Sequence, residues 1–192
     1  MNRSLKLMII GHARHGKDTV ASILTETFGL KATSSSHYAG QKIMMPFFAS
    51  KGINYSSWEE CYADRGNHRQ DWYEQIALYN TPDKAKLPRE IYQISDIYVG
   101  LRCDQEFNAA KAEGLFDFSI WVDRSKHLPP EPYESNKLNY KMADYVIDNN
   151  GTPQQLKMRT IYLYWNLVSL STIAVYDDDY KKWESTRKPE PK

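Results

Sequence analysis

Hydrophobic positions along the chain form two kinds of pattern, which together predict an α/β fold. Four short stretches are almost continuously apolar, as strands buried on both faces of a parallel sheet are. They lie at residues 5–10, 96–100, 116–122 and 145–147. Apolar residues at helical spacing predict helices at residues 18–28, 103–113 and 153 to about 175, a pair within 58–76, and one at 41–49 that Pro46 interrupts. Strands that alternate with helices favour three layers, with helices flanking a mostly parallel sheet.

Composition and charge narrow the function classes without selecting one. The 192 residues suffice for one domain with its own core, and the 41% hydrophobic and 26% charged fractions are typical of a soluble protein. A net charge of +1 gives no general attraction to nucleic acid or to an anionic membrane. No stretch resembles a signal-peptide core or a membrane span, so we expect a cytoplasmic protein that binds no membrane. Cys61 and Cys103 lack metal-ligand spacing and are predicted to be reduced thiols.

The loop between the first predicted strand and helix carries the most specific motif of the chain. Residues 11–19 read Gly-His-Ala-Arg-His-Gly-Lys-Asp-Thr, which matches the pattern G-x-x-x-x-G-K. In such a loop, Gly11 and Gly16 permit a tight wrap, and backbone N–H groups converge on phosphate oxygens at the helix N-terminus. Lys17 then neutralises charge between the β- and γ-phosphates. The motif predicts a phosphate loop that binds ATP together with Mg²⁺.

The positions around this lysine leave several roles open. Asp18 stands where a serine or threonine normally offers its hydroxyl to Mg²⁺. Its carboxylate is predicted to bind the metal through water, to approach the acceptor, or to favour the positive end of the helix. Thr19 is then predicted to face the α-phosphate. His15 or Arg14 is expected either to reach the transferred phosphate or to be an ordinary exposed loop residue.

The Gly-Lys-Asp-Thr part of this loop resembles the bacteriophage deoxynucleoside-monophosphate kinases, a branch of the nucleoside-monophosphate kinase fold. The resemblance implies a single P-loop kinase domain over residues 1–192, with an acceptor-binding helical insert at about 38–92 and a short lid at about 123–140. It implies ATP as the phosphoryl donor, Mg²⁺ as the cofactor and, for a phage-encoded chain, the host cytoplasm as the location. A homodimer stands as an alternative to a monomer.

Two further segments match the family where it binds the acceptor and performs catalysis. Asp64, Arg65 and Arg69 resemble the region that holds the acceptor nucleotide. Arg102 resembles the family's strand-end arginine and is assigned to catalysis beside Lys17 and Asp18. An arginine just beyond a buried strand also lies at the carboxyl edge of the sheet, where open α/β sheets bind ligands. Arg65 and Arg69 stand four residues apart and are predicted either to clamp an acceptor phosphate or to form a solvated helix face.

The lid and the adenine site are matched by shorter segments. Arg124 and Lys126 lie where such kinases keep the basic residues of the lid, and Arg124 is included among the catalytic candidates. Asn149 and Asn150 lie in a segment that resembles the Asn-Asp-Gly-Thr loop beside the adenine of ATP. A turn without any ligand is the alternative for these two, because Asn-Asn-Gly favours positive φ.

Two departures from the family leave the acceptor open. Gly100 replaces the aspartate that the family has two residues before the strand-end arginine, and residues 34–38 rewrite the acceptor segment. The first choice of acceptor is a free deoxynucleoside monophosphate. The second is 5-hydroxymethyldeoxyuridine within DNA, an alcohol that needs a general base such as Asp18, Asp64 or Asp71. The alternative from another class is a nucleotide-binding regulatory ATPase that transfers phosphate only to water.

Overall fold

The computed structural model describes residues 4–186, with side chains described up to Ile173 and at Lys181. Its centre is a five-stranded sheet of order β2-β3-β1-β4-β5, in which every neighbouring pair is parallel. The strands are β1 (Leu7–Ile10), β2 (Ala32–Ser34), β3 (Ile97–Val99), β4 (Phe118–Asp123) and β5 (Tyr145–Asp148). The predicted α/β fold with a mostly parallel sheet is confirmed.

Helices flank both faces of this sheet. The eight α-helices are α1 (Lys17–Phe28), α2 (Ser35–Ala39), α3 (Met45–Ser50), α4 (Trp58–Ala63), α5 (Arg69–Tyr79), α6 (Lys86–Ile94), α7 (Asp104–Ala112) and α8 (Pro153–Thr186). Helices α1 and α8 pack on one face and α6 and α7 on the other. Within residues 4–186, no helix combines the length and the apolar character that a membrane crossing requires.

Strand β1 shows why the sheet needs helices on both sides. Successive side chains of a strand point to opposite faces. Leu7 and Ile9 therefore join the core beneath α1 and α8, whereas Met8 and Ile10 join the core beneath α6 and α7. All four side chains are fully buried. The continuous apolar run in the sequence is thus the signature of a strand covered on both faces.

The chain between β2 and β3 folds into helices α2–α6, and this stretch contains the predicted insert. A π-helical turn (Gly40–Met44) joins α2 to α3 just before Pro46. Proline has no N–H to donate, so the regular helical ladder cannot continue through it. These helices enclose a third core, formed by Ala39, Met44, Phe48, Cys61 and Trp72. Cys61 and Cys103 are both free thiols, as predicted.

Candidate active site

The phosphate loop runs from the end of β1 to the start of α1, and two glycines set its path. Gly11 has φ +144°, and a Cβ there would lie 2.7 Å from the carbonyl oxygen of Val122. Gly16 has φ +98°, and a Cβ there would collide with the side chain of Asn149. Positive φ and close backbone approach both favour glycine. The structure therefore gives a physical reason for both glycines of the motif.

Lys17 is held inside this loop. Its side chain is buried, and its Nζ donates to the carbonyl oxygen of His12 at 2.7 Å. Burial lowers the pKa of Lys17, and the nearby Arg102 guanidinium lowers it further. Among residues 4–186, the amides of Gly16, Lys17, Asp18 and Thr19 have no protein acceptor. The first turn of α1 thus offers free N–H donors and a cation, which suits a phosphate.

The side chain of His15 is not exposed, as one of the two expectations had it, and its assignment to the ATP site stays a prediction. It is completely buried, and its Nδ1 accepts the backbone N–H of Arg124 at 3.0 Å. Burial lowers the pKa of His15, in keeping with the neutral ring that this bond requires. Arg124 itself is half-buried, and its side chain makes no hydrogen bond or ion pair within residues 4–186. Its proposed catalytic role stays a prediction.

The side chains of Asn149 and Asn150 bind the protein itself, and the assignment of these residues to the ATP site stays a prediction. Asn149 is buried, and its Nδ2 donates to the carbonyl oxygen of His15 at 2.8 Å. The Nδ2 of Asn150 donates to Asp123 Oδ2 at 3.0 Å and to Asp148 Oδ1 at 2.7 Å. These bonds fasten the phosphate loop and the end of β4 to the turn after β5. Their polar atoms are thereby used within the scaffold.

Glu131 is a site residue that the sequence reasoning missed. Its Oε2 accepts the backbone N–H of Ala13, in the phosphate loop, at 2.6 Å, and its Oε1 accepts from the Arg102 guanidinium. Its own N–H donates to His12 Nδ1 at 3.2 Å. The Arg102 guanidinium helps to keep the pKa of Glu131 below its usual range, against the effect of burial. A carboxylate thus occupies part of the anion-binding loop.

The segment that carries Glu131 is the predicted lid, and it lies against the loop. Asn136 is buried, and its Nδ2 donates to the carbonyl oxygen of Gly11 at 3.4 Å. The N–H of Lys137 donates to the carbonyl oxygen of Arg102 at 3.0 Å. No signal in the single sequence distinguishes Glu131 from the other glutamates, since its contact with Ala13 joins residues 118 positions apart.

Arg102 lies at the carboxyl edge of the sheet just after β3, as its position in the sequence predicted. Besides Glu131, its guanidinium contacts the carbonyl oxygen of Ser135 at 3.3 Å. Gly100, two residues earlier, has φ +89°. An aspartate at this position would have to adopt a backbone conformation that side-chain-bearing residues rarely take. Glycine therefore suits the backbone geometry at this position.

A cleft of about 780 Å³ opens beside the phosphate loop. This volume lies within the roughly 300–1,000 Å³ of typical small-molecule sites. Arg65, Arg69 and Arg102 all line it, together with Ala13 of the loop and Glu131. Partial burial lowers the pKa of Arg65, and the nearby Arg102 and Arg69 guanidiniums lower it further. Three like charges thus converge on one cleft, a costly arrangement that an anion would relieve.

Asp64 is not among the residues that line this cleft, and its assignment as an acceptor-binding residue stays a prediction. Its carboxylate accepts the Tyr55 hydroxyl at 2.7 Å and Asn67 Nδ2 at 2.6 Å, and it lies 3.3 Å from His68 Nε2. These bonds stabilise the turn between α4 and α5 and hold the pKa of Asp64 below its usual range. Arg65 and Arg69, in contrast, form no ion pair within residues 4–186.

Asp18 is exposed in the first turn of α1, near both the phosphate loop and the acceptor cleft. Its negative charge acts to raise the pKa of Lys17 and of Arg65, against the effect of burial. Within the described part of the chain, no group of three or more His, Cys, Asp or Glu side chains is placed to hold a metal ion.

Comparison with known proteins gives likenesses of fold. No protein-family model and no curated protein matches the chain. A shikimate kinase from Aquifex aeolicus VF5 is 13% identical over 89% of this chain and 99% of its own, with a TM-score of 0.46. A gluconokinase from Sinorhizobium meliloti 1021 is 9% identical over 92% and 99%, with a TM-score of 0.49. A shikimate kinase from Bacteroides thetaiotaomicron is 9% identical over 85% and 98%, with a TM-score of 0.48. We take the function from the geometry of the site alone.

Proposed function

We propose that this protein is an ATP-dependent kinase that transfers the γ-phosphoryl group to a deoxynucleoside monophosphate. The observation that carries the proposal is the shared cleft. Ala13 of the phosphate loop lines the cleft together with Arg65, Arg69 and Arg102, and Lys17 is held inside the same loop. Donor and acceptor are both anions, and a loop with free N–H donors next to a cluster of guanidiniums suits two anions brought together.

The transfer needs little chemistry from the protein beyond positioning and charge. The bond between the γ-phosphorus and the β,γ-bridging oxygen breaks, a bond from the acceptor phosphate oxygen to that phosphorus forms, and ADP leaves. A phosphate acceptor is already an oxyanion, so no general base is required. Lys17 and the loop amides hold the donor, Arg102 meets charge on the transferred group, and Arg65 and Arg69 orient the acceptor. Bound Mg²⁺ would offset charge on the phosphates, and Asp18, exposed in the first turn of α1, would hold it through water.

The experiment that tests the proposal is ADP release with different acceptors. ATP turnover is measured alone, with each of the four common deoxynucleoside monophosphates, and with duplex DNA that contains 5-hydroxymethyluracil. We expect turnover to rise at least tenfold with a free monophosphate and not with DNA. Turnover that no acceptor changes would favour a regulatory ATPase instead, and a rise with DNA alone would favour the base-hydroxyl acceptor.

Replacement of Arg69 by alanine is expected to raise the acceptor KM roughly tenfold or more, with little change in the ATP KM. Arg69 is exposed and has no ion pair within residues 4–186, so an acceptor phosphate would be its partner. To break a charge-assisted pair that has become buried costs about 2–5 kcal/mol. Steady-state kinetics measure both constants. Gln70→Ala, one residue further along α5 and outside the cleft, is the control. Equal acceptor KM values for wild type and Arg69→Ala would remove this residue from the acceptor site.

Replacement of Glu131 by glutamine is expected to strengthen ATP binding several-fold. The Glu131 carboxylate accepts the Ala13 N–H and the Arg102 guanidinium, so it competes with a phosphate for both and repels it. Calorimetry on wild type, Glu131→Gln and the exposed cleft residue Glu134→Gln measures the ATP dissociation constants. Weaker ATP binding in Glu131→Gln alone would mean that this carboxylate assists the nucleotide rather than excluding it.

A further inference from the structure

The cleft contains a buried carboxylate that the proposed transfer does not use. Glu106, in the first turn of α7, is 7% exposed and lines the cleft. Burial raises the pKa of this carboxyl, because the charged form loses contact with water. Buried carboxylates are costly unless they are hydrogen-bonded, and one that faces a ligand cleft is available to a ligand.

One oxygen of Glu106 is already engaged by the protein. Asn80 is fully buried, and its Oδ1 accepts the backbone N–H of Leu87 at 3.0 Å. Its carboxamide is therefore oriented with Nδ2 as the donor, and Nδ2 donates to Glu106 Oε1 at 2.9 Å. Within residues 4–186, Oε2 of Glu106 receives no hydrogen bond. The scaffold thus holds the carboxylate in place and leaves one oxygen for another donor.

The position of Glu106 relative to the arginines gives the cleft two chemically different ends. Arg69 begins α5 and Asn80 follows its last residue. At about 1.5 Å per residue, these two positions are roughly 16 Å apart along the helix axis. The Arg69 guanidinium suits an anion at one end, and the Glu106 carboxylate suits N–H groups at the other. A nucleoside monophosphate has this polarity, with its phosphate and its base edge at opposite ends.

Lys84 completes the far end of the cleft. It lines the cleft, and its charge acts on Glu106 to lower the pKa of that carboxyl, although less than burial raises it. The far end therefore offers an ammonium donor beside a carboxylate acceptor. The Watson–Crick edge of guanine presents the O6 acceptor followed by the N1–H and N2–H donors, which complements this pair. Thymine presents two carbonyl oxygens on either side of one N–H, and those oxygens would face the carboxylate unfavourably.

We propose that Glu106 takes part in base specificity and that it favours dGMP over dTMP. This rests on the proposed function for the identity of the acceptor site, and it goes beyond it by naming the base and the residue that reads it. Glu106 accepts the N1–H or N2–H of guanine through Oε2, Lys84 donates to O6, and the 5′-phosphate lies at the arginine end. A site built to bond polar groups discriminates strongly against bases that leave them unpaired.

The test measures binding and transfer separately, on wild type, Glu106→Gln and Glu134→Gln. In Glu106→Gln, the glutamine keeps an oxygen for Asn80 but places an amide NH₂ where the guanine edge needs an acceptor. Glu134→Gln is the control, because Glu134 is an exposed glutamate of the same cleft. Calorimetry gives the dissociation constants of dGMP, dTMP and ATP, thermal unfolding checks the fold, and steady-state kinetics give kcat/KM with each monophosphate.

We expect wild type to bind dGMP at least tenfold more tightly than dTMP. Glu106→Gln is expected to abolish this preference without changing ATP binding. Glu134→Gln is expected to keep both the preference and the ATP affinity. Selective dGMP binding without any transfer to dGMP would support the role of Glu106 and contradict the proposed kinase function. Transfer to monophosphates with no preference for dGMP would overturn the role of Glu106 and leave the kinase function standing. If Glu106→Gln stops transfer to all monophosphates equally without changing their binding, Glu106 acts in catalysis and the specificity role is overturned. Failure of wild type to bind any monophosphate overturns both.

Discussion

Replacement of Lys17 by alanine is expected to lower phosphoryl transfer by about a hundredfold or more while the fold survives. The reason is local: Lys17 is buried in the phosphate loop, and its Nζ contacts only the carbonyl oxygen of His12 among protein acceptors of the described residues. Loss of one such group from a preorganised site typically costs about 10²–10³ in rate. Single-turnover transfer from labelled ATP measures the change.

Two further variants keep the Lys17 experiment interpretable. Lys17→Met retains the apolar stem that the loop buries and removes only the ammonium, so it separates lost packing from lost charge. Lys31→Ala removes an exposed lysine outside the cleft. We expect Lys17→Met to lose as much activity as Lys17→Ala and Lys31→Ala to lose none. Near wild-type transfer in both Lys17 variants, with unchanged unfolding temperatures, would contradict the assignment of the phosphate loop.

Replacement of Arg102 by alanine is expected to lower kcat at least tenfold and to change the ATP dissociation constant less. Arg102 lines the cleft beside the phosphate loop, where it would meet charge that develops on the transferred group. Arg102→Lys keeps the charge but loses the planar fork, and it should recover part of kcat. Steady-state kinetics together with calorimetry on the same preparations separate the two effects. Collapse of ATP affinity with intact turnover per bound ATP would contradict the assigned role.

The pairing of Arg102 with Glu131 requires one additional control. Arg102→Ala leaves the Glu131 carboxylate beside the Ala13 amide without its guanidinium partner, and an unpaired carboxylate there would itself repel ATP. The double variant Arg102→Ala/Glu131→Gln removes this repulsion. We expect the double variant to bind ATP better than Arg102→Ala and to remain as slow in transfer.

The sequence predicted the scaffold well because the scaffold depends on local patterns. The run in β1 identified a strand that both layers of helices cover. Helix α1 ends at Phe28 as predicted, and the following Gly29 has φ +72° and donates its N–H to the carbonyl oxygen of Thr25. Helix α6 was missed because Pro88 and several charged residues obscure its pattern, although proline is tolerated in the first turn of a helix. Strand β2 is a three-residue edge strand, too short to give a clear alternation.

The site was predicted only as far as its residues are adjacent in the chain. The glycines and Lys17 of the phosphate loop stand within seven positions, so their spacing alone indicated their arrangement. Glu131 contacts the loop across 118 positions and Asn149 across 134, and a single sequence carries no signal for such pairs. The burial of His15 was not predicted for the same reason, because its hydrogen-bond partner Arg124, which follows β4, lies 109 positions away.

The destination of the γ-phosphate tests the central claim most directly. ATP labelled in its γ-phosphate is incubated with the protein, Mg²⁺ and an equal mixture of the four deoxynucleoside monophosphates, and the labelled products are separated. We predict label in a deoxynucleoside diphosphate, with Lys17→Met giving at most a hundredth of the wild-type amount. Label found only in inorganic phosphate, or transferred only to added 5-hydroxymethyluracil DNA, would contradict the assignment of a deoxynucleoside-monophosphate kinase.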